Sequence, residues 1–118
     1  MQEFMFVFRL DLAKEAEQMP PEKMQALWKA WQDWTAGITA QNKMGGTGKR
    51  LGTTGKVIRP SNVVTDGPFV EVKEALAGYM FVKANSLAEA VALTKGCPNL
   101  TMGGSIEVRP VIMDAEGR

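Results

Sequence analysis

The feature that most constrains the fold is a short run near the N-terminus that is apolar on both of its faces. Residues 3–9 (Glu-Phe-Met-Phe-Val-Phe-Arg) are rich in β-forming side chains. Because alternate side chains of a strand point to opposite sides, the three phenylalanines would share one face, with Met5 and Val7 on the other. A strand without a polar face is buried on both sides. The run therefore predicts the central strand of a sheet.

The next long segment has the pattern of an amphipathic helix. It begins after Pro20-Pro21, a helix-start signal, and extends to about Ala40. Its inward stripe spans an arc of roughly 120° at 100° per residue, and consists of Met24, Leu27, Trp28, Trp31, Trp34, Thr35 and Ile38. The three tryptophans are interpreted as core or dimer contacts, because helical spacing is more typical of packing than of a ligand-stacking stripe.

Glycines are concentrated between residues 43 and 56. A phosphate-binding loop would need the pattern G-x-x-x-x-G-K-[ST] between a strand and a helix. Here Gly48-Lys49 is followed by Arg50, Gly55-Lys56 is followed by Val57, and the segment leads from a helix into strands. We therefore interpret it as a strand whose backbone bends or packs closely against a neighbour.

The second half of the chain predicts a hairpin, a strand, a helix and a last strand. The hairpin surrounds Pro60-Ser61, the next strand covers 78–84, and Ser86 with Glu89 forms a capping box. This box opens a helix over Leu87–Lys95 that ends at Gly96, and the last strand runs from about Ser105 to Met113. Two βαβ-like halves with an inserted hairpin predict a single α+β domain over residues 1–118, with helices on one face of the sheet. Its other face would be buried by pairing two copies, with Met5, Val7, Met80 and Val82 as candidate outward-facing residues.

Composition excludes several classes of protein. The 118 residues fit one domain, and 45% hydrophobic with 23% charged residues is typical of a globular chain. A net charge of +1 argues against nucleic-acid binding. A local cluster of basic residues is interpreted as solvated side chains on an exposed hairpin; it consists of Lys43, Lys49, Arg50, Lys56 and Arg59.

The location of the protein and its cofactors are predicted from segments and residue types that are scarce or absent in the sequence. No segment approaches the ~20 apolar residues of a membrane span, and Cys97 is the single cysteine. We expect a cytoplasmic protein without a membrane segment. The chain has no histidine, which is the commonest metal ligand and the usual general base near neutral pH. We therefore expect no metal and no cofactor, and a buried, non-nucleophilic Cys97.

Asp66 is the candidate catalytic residue. It ends a predicted strand and is followed by Gly67-Pro68, whose fixed backbone would hold the carboxylate rigidly. Among apolar neighbours the carboxylate could act as a general acid or base. The alternative is a structural aspartate that accepts backbone N–H groups in a turn.

Four further residues are candidate ligand-binding groups. Glu107 and Arg109 are two apart in the last strand, so they would project from the same face. Arg109 and Lys73 could hold an anion, and Tyr79 could donate a hydrogen bond to an oxyanion. The alternatives are ion pairs of the two cations with Glu107, Glu71 or Glu74, and a tyrosine that packs locally. The prediction is one polar pocket that contains Asp66 and Arg109.

The same residues carry a resemblance to a known family. The run from Asp66 to Glu74 (Asp-Gly-Pro-Phe-Val-Glu-Val-Lys-Glu), then Gly78-Tyr79, Cys97-Pro98 and the stretch from Gly103 to Pro110 resemble the DGPF-type members of the YCII-related family. The similarity extends roughly from the first strand to Val111. Four separated motifs agree in order and in spacing.

The resemblance implies a ferredoxin-like α+β chain with an antiparallel sheet. It further implies a homodimer, in a dimeric α/β-barrel-like assembly with a pocket on each sheet, and no established reaction. Some members carry a histidine that partners the aspartate, and this chain has none.

Three functions stay open on the sequence alone. The first is a cofactor-independent enzyme that moves protons on a small polar or acidic molecule, using Asp66 with Arg109 and Tyr79. The second is a non-catalytic module that binds such a molecule in the same pocket. The third is an interaction or regulatory protein, since DGPF-type sequences are often found near or fused to sigma factors.

Overall fold

The computed structural model describes residues 1–11, 19–46, 48–67 and 74–112. In these ranges the chain forms six strands and three helices. They are, in order, β1 (Gln2–Asp11), α1 (Pro21–Ala40), β2 (Lys49–Arg50), β3 (Gly55–Arg59), β4 (Val63–Gly67), β5 (Glu74–Ala84), α2 (Leu87–Leu93), α3 (Pro98–Thr101) and β6 (Ser105–Pro110). A single 3-10 turn, Pro60–Asn62, joins β3 to β4.

Four of the strands form one antiparallel sheet in the order β2-β5-β1-β6. The prediction of a central first strand is confirmed, because β1 pairs with β5 on one side and with β6 on the other. Helix α1 lies between β1 and β2 in the described part of the chain, and the two short helices α2 and α3 lie between β5 and β6. This α+β arrangement is compatible with a ferredoxin-like fold, and the predicted hairpin is inserted between β2 and β5.

The helices cover the phenylalanine face of β1. Phe4, Phe6 and Phe8 are buried in one cluster with residues of β5 and α2. The Phe6 ring stacks on Trp34 with ring centroids 6.3 Å apart, and the Phe8 ring meets Trp31 edge-on at 5.3 Å. Aromatic pairs in these orientations stabilise a core beyond the area that they bury. Helix α1 is therefore held on the sheet by its second half.

The first half of α1 differs from the expectation. Trp28 is 64% exposed and Met24 is also exposed, whereas Trp31 and Trp34 pack against the core. Trp28 is therefore not a core residue of the single chain. No helix in the described part of the chain is long and apolar enough to cross a membrane.

The expected outward-facing residues Met5 and Val7 of β1 lie on the face away from the core cluster, but the expectation for β5 was wrong. Met80 and Val82 are buried with the phenylalanines on the helix side, at 6% and 0% exposure. Met5 is paired with Phe81 and Val7 with Tyr79, and directly paired residues of an antiparallel sheet share a face. The outward-facing aromatic residues of β5 are therefore Tyr79 and Phe81. Their neighbours Met80 and Val82 belong to the core.

The glycine-rich segment packs closely against β5, as predicted. Gly45 donates its N–H to the carbonyl of Phe81 at 2.9 Å, and a Cβ at this position would lie 2.9 Å from the Phe81 backbone. At Gly48 a Cβ would lie 2.2 Å from the carbonyl oxygen of Tyr79. Side chains larger than hydrogen would therefore push this edge of the sheet away from β5.

The capping box at Ser86 is confirmed. The Ser86 hydroxyl accepts a hydrogen bond from the N–H of Glu89 at 3.1 Å. Helix α2 ends at Leu93, two residues before the predicted end, and Gly96 has a positive φ of 82° in the turn that follows. Pro98 then begins the short helix α3, which the sequence analysis did not predict.

The last strand is shorter than predicted and is anchored at its start. Strand β6 ends at Pro110, and the expected end at Met113 lies outside the described residues. Asn99 in α3 is 1% exposed, and its Nδ2 donates to the carbonyls of Ser105 at 2.9 Å and Arg9 at 3.3 Å. This amide joins α3 to the start of β6 and to β1.

Candidate functional site

The candidate site is the face of the four-stranded sheet that the helices leave uncovered, here called the open face. In the register of the sheet, Val7 on β1 lies between Tyr79 on β5 and Glu107 on β6. Met5 lies in the next row, between Phe81 and Arg109. The centre of this face is apolar and the β6 side is charged.

A carboxylate between two guanidinium groups dominates the charged side. Glu107 lies 3.3 Å from Arg9, measured from Oε1 to Nη2, and 3.7 Å from Arg109, measured from Oε2 to Nη1. The predicted shared face of Glu107 and Arg109 is confirmed by their register with Val7 and Met5. Two positive charges next to one negative charge leave an excess of one positive charge at this place. The cluster is therefore suited to an anion.

The sequence analysis missed Arg9. It follows Val7 by two positions in β1, so alternation places it on the same face as Met5 and Val7. Its partner Glu107 is 98 positions away in the sequence. The alternation was a usable signal for the face, but no local pattern indicates which carboxylate an arginine meets across a sheet.

Tyr79 lies on the opposite side of the open face from Glu107. Its ring meets Phe81 edge-on with centroids 6.1 Å apart, and Lys49 on β2 is its neighbour in the register. Two strand spacings separate Tyr79 from Glu107, a span of roughly 10 Å. Within the part of the chain that the structure describes, no residue receives a hydrogen bond from the Tyr79 hydroxyl.

Asp66 lies in the hairpin and not on the open face. It is opposite Lys56 in the register of β3 and β4, and the two side chains form an ion pair. The Asp66 side chain is 91% exposed. A shallow groove of ≈ 420 Å³ beside it is lined by Thr54, Gly55, Lys56, Asp66 and Gly67. This carboxylate is thus not enclosed among apolar groups, and no backbone amide of the described residues holds it.

The predicted site residues do not converge within one chain. Glu107 and Arg109 lie together, Tyr79 shares their face, and Asp66 lies on a separate two-stranded sheet. Of the two alternatives for Arg109, the structure shows the ion pair with Glu107. Lys73 and its candidate partner Glu71 lie outside the described residues. Asp66 and Arg109 therefore belong to two different sheets of the described chain.

Cys97 is placed as predicted, and it contributes no nucleophile to the open face. The residue is 0% exposed, and burial raises the pKa of its thiol to about 11. Thiolate chemistry needs the ionised form, which a thiol with this pKa does not supply near neutral pH. Among the described residues, no three Cys, Asp or Glu side chains are grouped so that they could hold a metal ion.

A second ion pair lies between the helices. Lys43 and Glu89 are 2.9 Å apart and mostly shielded, and the hydrogen bond from Lys43 holds the pKa of Glu89 below its usual value. This pair also joins the segment after α1 to the start of α2. Two residues of the predicted basic cluster are thus paired, Lys43 with Glu89 and Lys56 with Asp66.

Comparison with known proteins supports one family. The model of the YCII-related domain matches residues 5–113, which is nearly the whole chain. This protein belongs to the YCII-related family. It is also 39% identical over 56 residues to an uncharacterized protein of Rhizobium meliloti (strain 1021). That match covers 47% of this chain and 45% of the relative, so the chain covers less than half of the relative's length.

Proposed function

We propose that this YCII-related protein binds a small anionic or polar molecule on the open face of its sheet. The observation that carries the proposal is the carboxylate of Glu107 between Arg9 and Arg109. Because Arg109 is 71% exposed and 3.7 Å from Glu107, most of its donors remain available. A guanidinium group recognises carboxylates and phosphates through two parallel hydrogen bonds.

The rest of the face supports a ligand of small size. The centre of the face is apolar, with Met5 partly exposed and Val7 buried, and the polar groups lie at its two sides, Tyr79 on one and the arginines on the other. An apolar surface with a few polar groups that fix orientation is typical of small-molecule sites. A planar acid of about 10 Å could contact the Tyr79 hydroxyl and Arg109 at once.

The geometry supports binding better than catalysis by a single chain. A general base has to come within hydrogen-bonding distance of the proton that it abstracts. Asp66 is exposed, bound to Lys56 and located away from the open face. The positive charge of the open face is not fully paired, which favours a ligand-binding module over a protein whose dimer is its only function.

We also propose that the binding unit is a homodimer. The Cα radius of gyration is 15.9 Å, whereas a compact chain of this length has one of about 13.5 Å. The extents of 46 × 40 × 20 Å describe a flat molecule. One helix layer covers one side of the sheet, and a second copy would cover the other. The binding face would then be enclosed, and exclusion of water would strengthen the contacts of its charged groups.

Isothermal titration with small acids tests the binding proposal. The probes are succinate, malate and inorganic phosphate, each titrated into the wild-type protein and the Arg109→Ala variant. We expect at least one probe to bind the wild-type protein and to bind the variant at least tenfold more weakly. Lys23→Ala, which removes an exposed cation from α1, should leave that affinity unchanged. Equal affinity of the wild type and Arg109→Ala, or no binding of any probe, would contradict the proposal.

A further inference from the structure

The hairpin formed by β3 and β4, here called the arm, is exposed along nearly its whole length. Its two strands make extensive contact with each other and at most slight contact with any other described element. Ile58 and Val64 lie directly opposite each other in its register, and they are 68% and 56% exposed. Two large apolar side chains are thus paired on one face of a ribbon without any cover.

Such a ribbon is poorly stabilised by itself. A two-stranded hairpin in water is marginally stable unless it packs on another surface. Burying a side chain such as Ile58 provides the free energy that ordering the ribbon requires. Since the apolar pair is exposed in the single chain, the arm does not fold back onto its own sheet. None of the described residues covers this pair, which leaves it available to a second molecule.

We propose that the arm packs on the open face of a second copy of this chain and brings Asp66 to Arg109 of the partner subunit. The inference rests on the homodimer proposed above and adds the residue that each subunit supplies to the other. The binding site is then composite, with Tyr79, Arg9 and Glu107 from one chain and Asp66 from its partner. This arrangement accounts for the placement of Asp66 and Arg109 on separate sheets of the described chain.

Charge complementarity supports a second copy as the occupant. Lys56 and Asp66 lie two positions from Ile58 and Val64, so the ion pair and the apolar pair share one face of the arm. The open face repeats this arrangement, with apolar Met5 and Val7 beside Glu107 and Arg109. In the dimer Asp66 can pair with Arg109 and Lys56 with Glu107, while Ile58 and Val64 lie against the partly exposed Met5.

The arm is also long enough to cross the open face of a second copy. Five residues of strand extend roughly 17 Å, and a sheet of four strands is roughly 14 Å wide between its outer strands. The arm leaves the sheet between β2, at its edge, and β5. It can therefore reach across the whole open face of a copy that packs against this sheet.

Cross-linking between two differently tagged chains tests the inference. One chain carries Asp66→Cys and the other Arg109→Cys, and the co-expressed pair is treated with a short bis-maleimide. The buried Cys97 leaves the two introduced thiols as the reactive ones. We expect a covalent heterodimer in high yield. In the control, Asp33→Cys on the outer side of α1 replaces Asp66→Cys, and we expect no heterodimer.

The possible outcomes distinguish three proposals: the contact made by the arm, the homodimer and the binding of a ligand. A wild-type protein that is monomeric by light scattering overturns both the dimer and the arm. A wild-type dimer whose Asp66→Cys and Arg109→Cys chains do not cross-link overturns the arm alone. Neither result depends on whether succinate, malate or phosphate binds.

A second variant tests the apolar contact without cross-linking. In Ile58→Ser/Val64→Ser, two exposed side chains become polar and the core of the single chain is untouched. We expect the dissociation constant of the dimer to rise at least tenfold while the circular dichroism spectrum is retained. A folded variant that dimerises as tightly as the wild type would overturn the inference.

Discussion

At the scale of residues, Cys97 shows how burial determines chemistry. The residue precedes α3 and is fully enclosed in the core cluster with the phenylalanines of β1. Burial disfavours the charged thiolate, so the pKa of the thiol rises from 9.0 to about 11. The side chain is neutral at physiological pH and behaves as a small apolar residue.

The raised pKa of Cys97 predicts a loss of stability in alkaline solution. The Cys97 thiol keeps its proton to higher pH in the native state than in the unfolded state. Its contribution to the unfolding free energy is therefore complete below pH 9 and is lost as the pH rises to about 11. The loss should be ~2–3 kcal/mol of unfolding free energy. Urea unfolding of the wild-type protein and of Cys97→Ala between pH 8 and about 11 measures this loss, because the two proteins differ only in this thiol. Parallel pH profiles would contradict this prediction.

Asn99 is the polar residue on which the packing of α3 most depends. Replacing it by alanine removes the two hydrogen bonds that its Nδ2 donates to the partly buried carbonyls of Arg9 and Ser105. We expect Asn99→Ala to lower the unfolding free energy by ~2–3 kcal/mol in urea unfolding. The control is Asn85→Ala, at an exposed position with a 3.4 Å contact to Glu89. It should cost less than ~0.5 kcal/mol, and equal losses in the two variants would argue against the anchoring role of Asn99.

At the scale of elements, β2 can pair with β5 because Gly48 has no Cβ to prevent the close approach of the two backbones. A Cβ at Gly48 would overlap the carbonyl oxygen of Tyr79, so Gly48→Ala should shift β2 away from β5 and lower the unfolding free energy by ~2 kcal/mol. At Gly52 a Cβ meets nothing within 4 Å. Gly52→Ala should therefore raise stability by up to ~0.5 kcal/mol by restricting the unfolded chain. Urea unfolding of both variants is the measurement, and a neutral Gly48→Ala would refute the steric argument.

Elements with local signals were predictable. Helix α1 begins and ends where Pro21 and the apolar periodicity place it, and the cap of α2 follows from Ser86 and Glu89. Helix α3 was not predicted, because four residues carry too little periodicity and Pro98 was read only as a helix stop. The exposure of Trp28 was not predictable either, since a stripe shows which side of a helix is apolar but not how far the sheet extends beneath it.

At the scale of the whole molecule, the flat shape and the exposed arm predict that stability depends on protein concentration. A partner that binds only the folded chain raises the thermal midpoint as concentration increases. We expect the midpoint of the wild-type protein to rise from low to high micromolar concentration in calorimetry. The Ile58→Ser/Val64→Ser variant should show a smaller rise. A wild-type midpoint that does not change with concentration would contradict the dimer.

Half of the candidate site could be read from the sequence. The shared face of Glu107 and Arg109 follows from their spacing in a strand, and Tyr79 was among the predicted residues. Arg9 was missed and Asp66 was expected beside Arg109, because both questions concern contacts between residues far apart in the chain. The placement of Asp66 next to Arg109 stays a prediction, now for two chains instead of one.

The sequence by itself determined the local features of this protein: a first strand that is apolar on both faces, an amphipathic helix, a capped second helix and a glycine-rich edge. These depend on side chains within a few positions of one another, and their periodicity is visible in the chain. Only the tertiary structure decided that Met80 and Val82 face the helices while Tyr79 and Phe81 face outward. Alternation defines two faces of a strand, but the face that becomes the core depends on which elements pack against it.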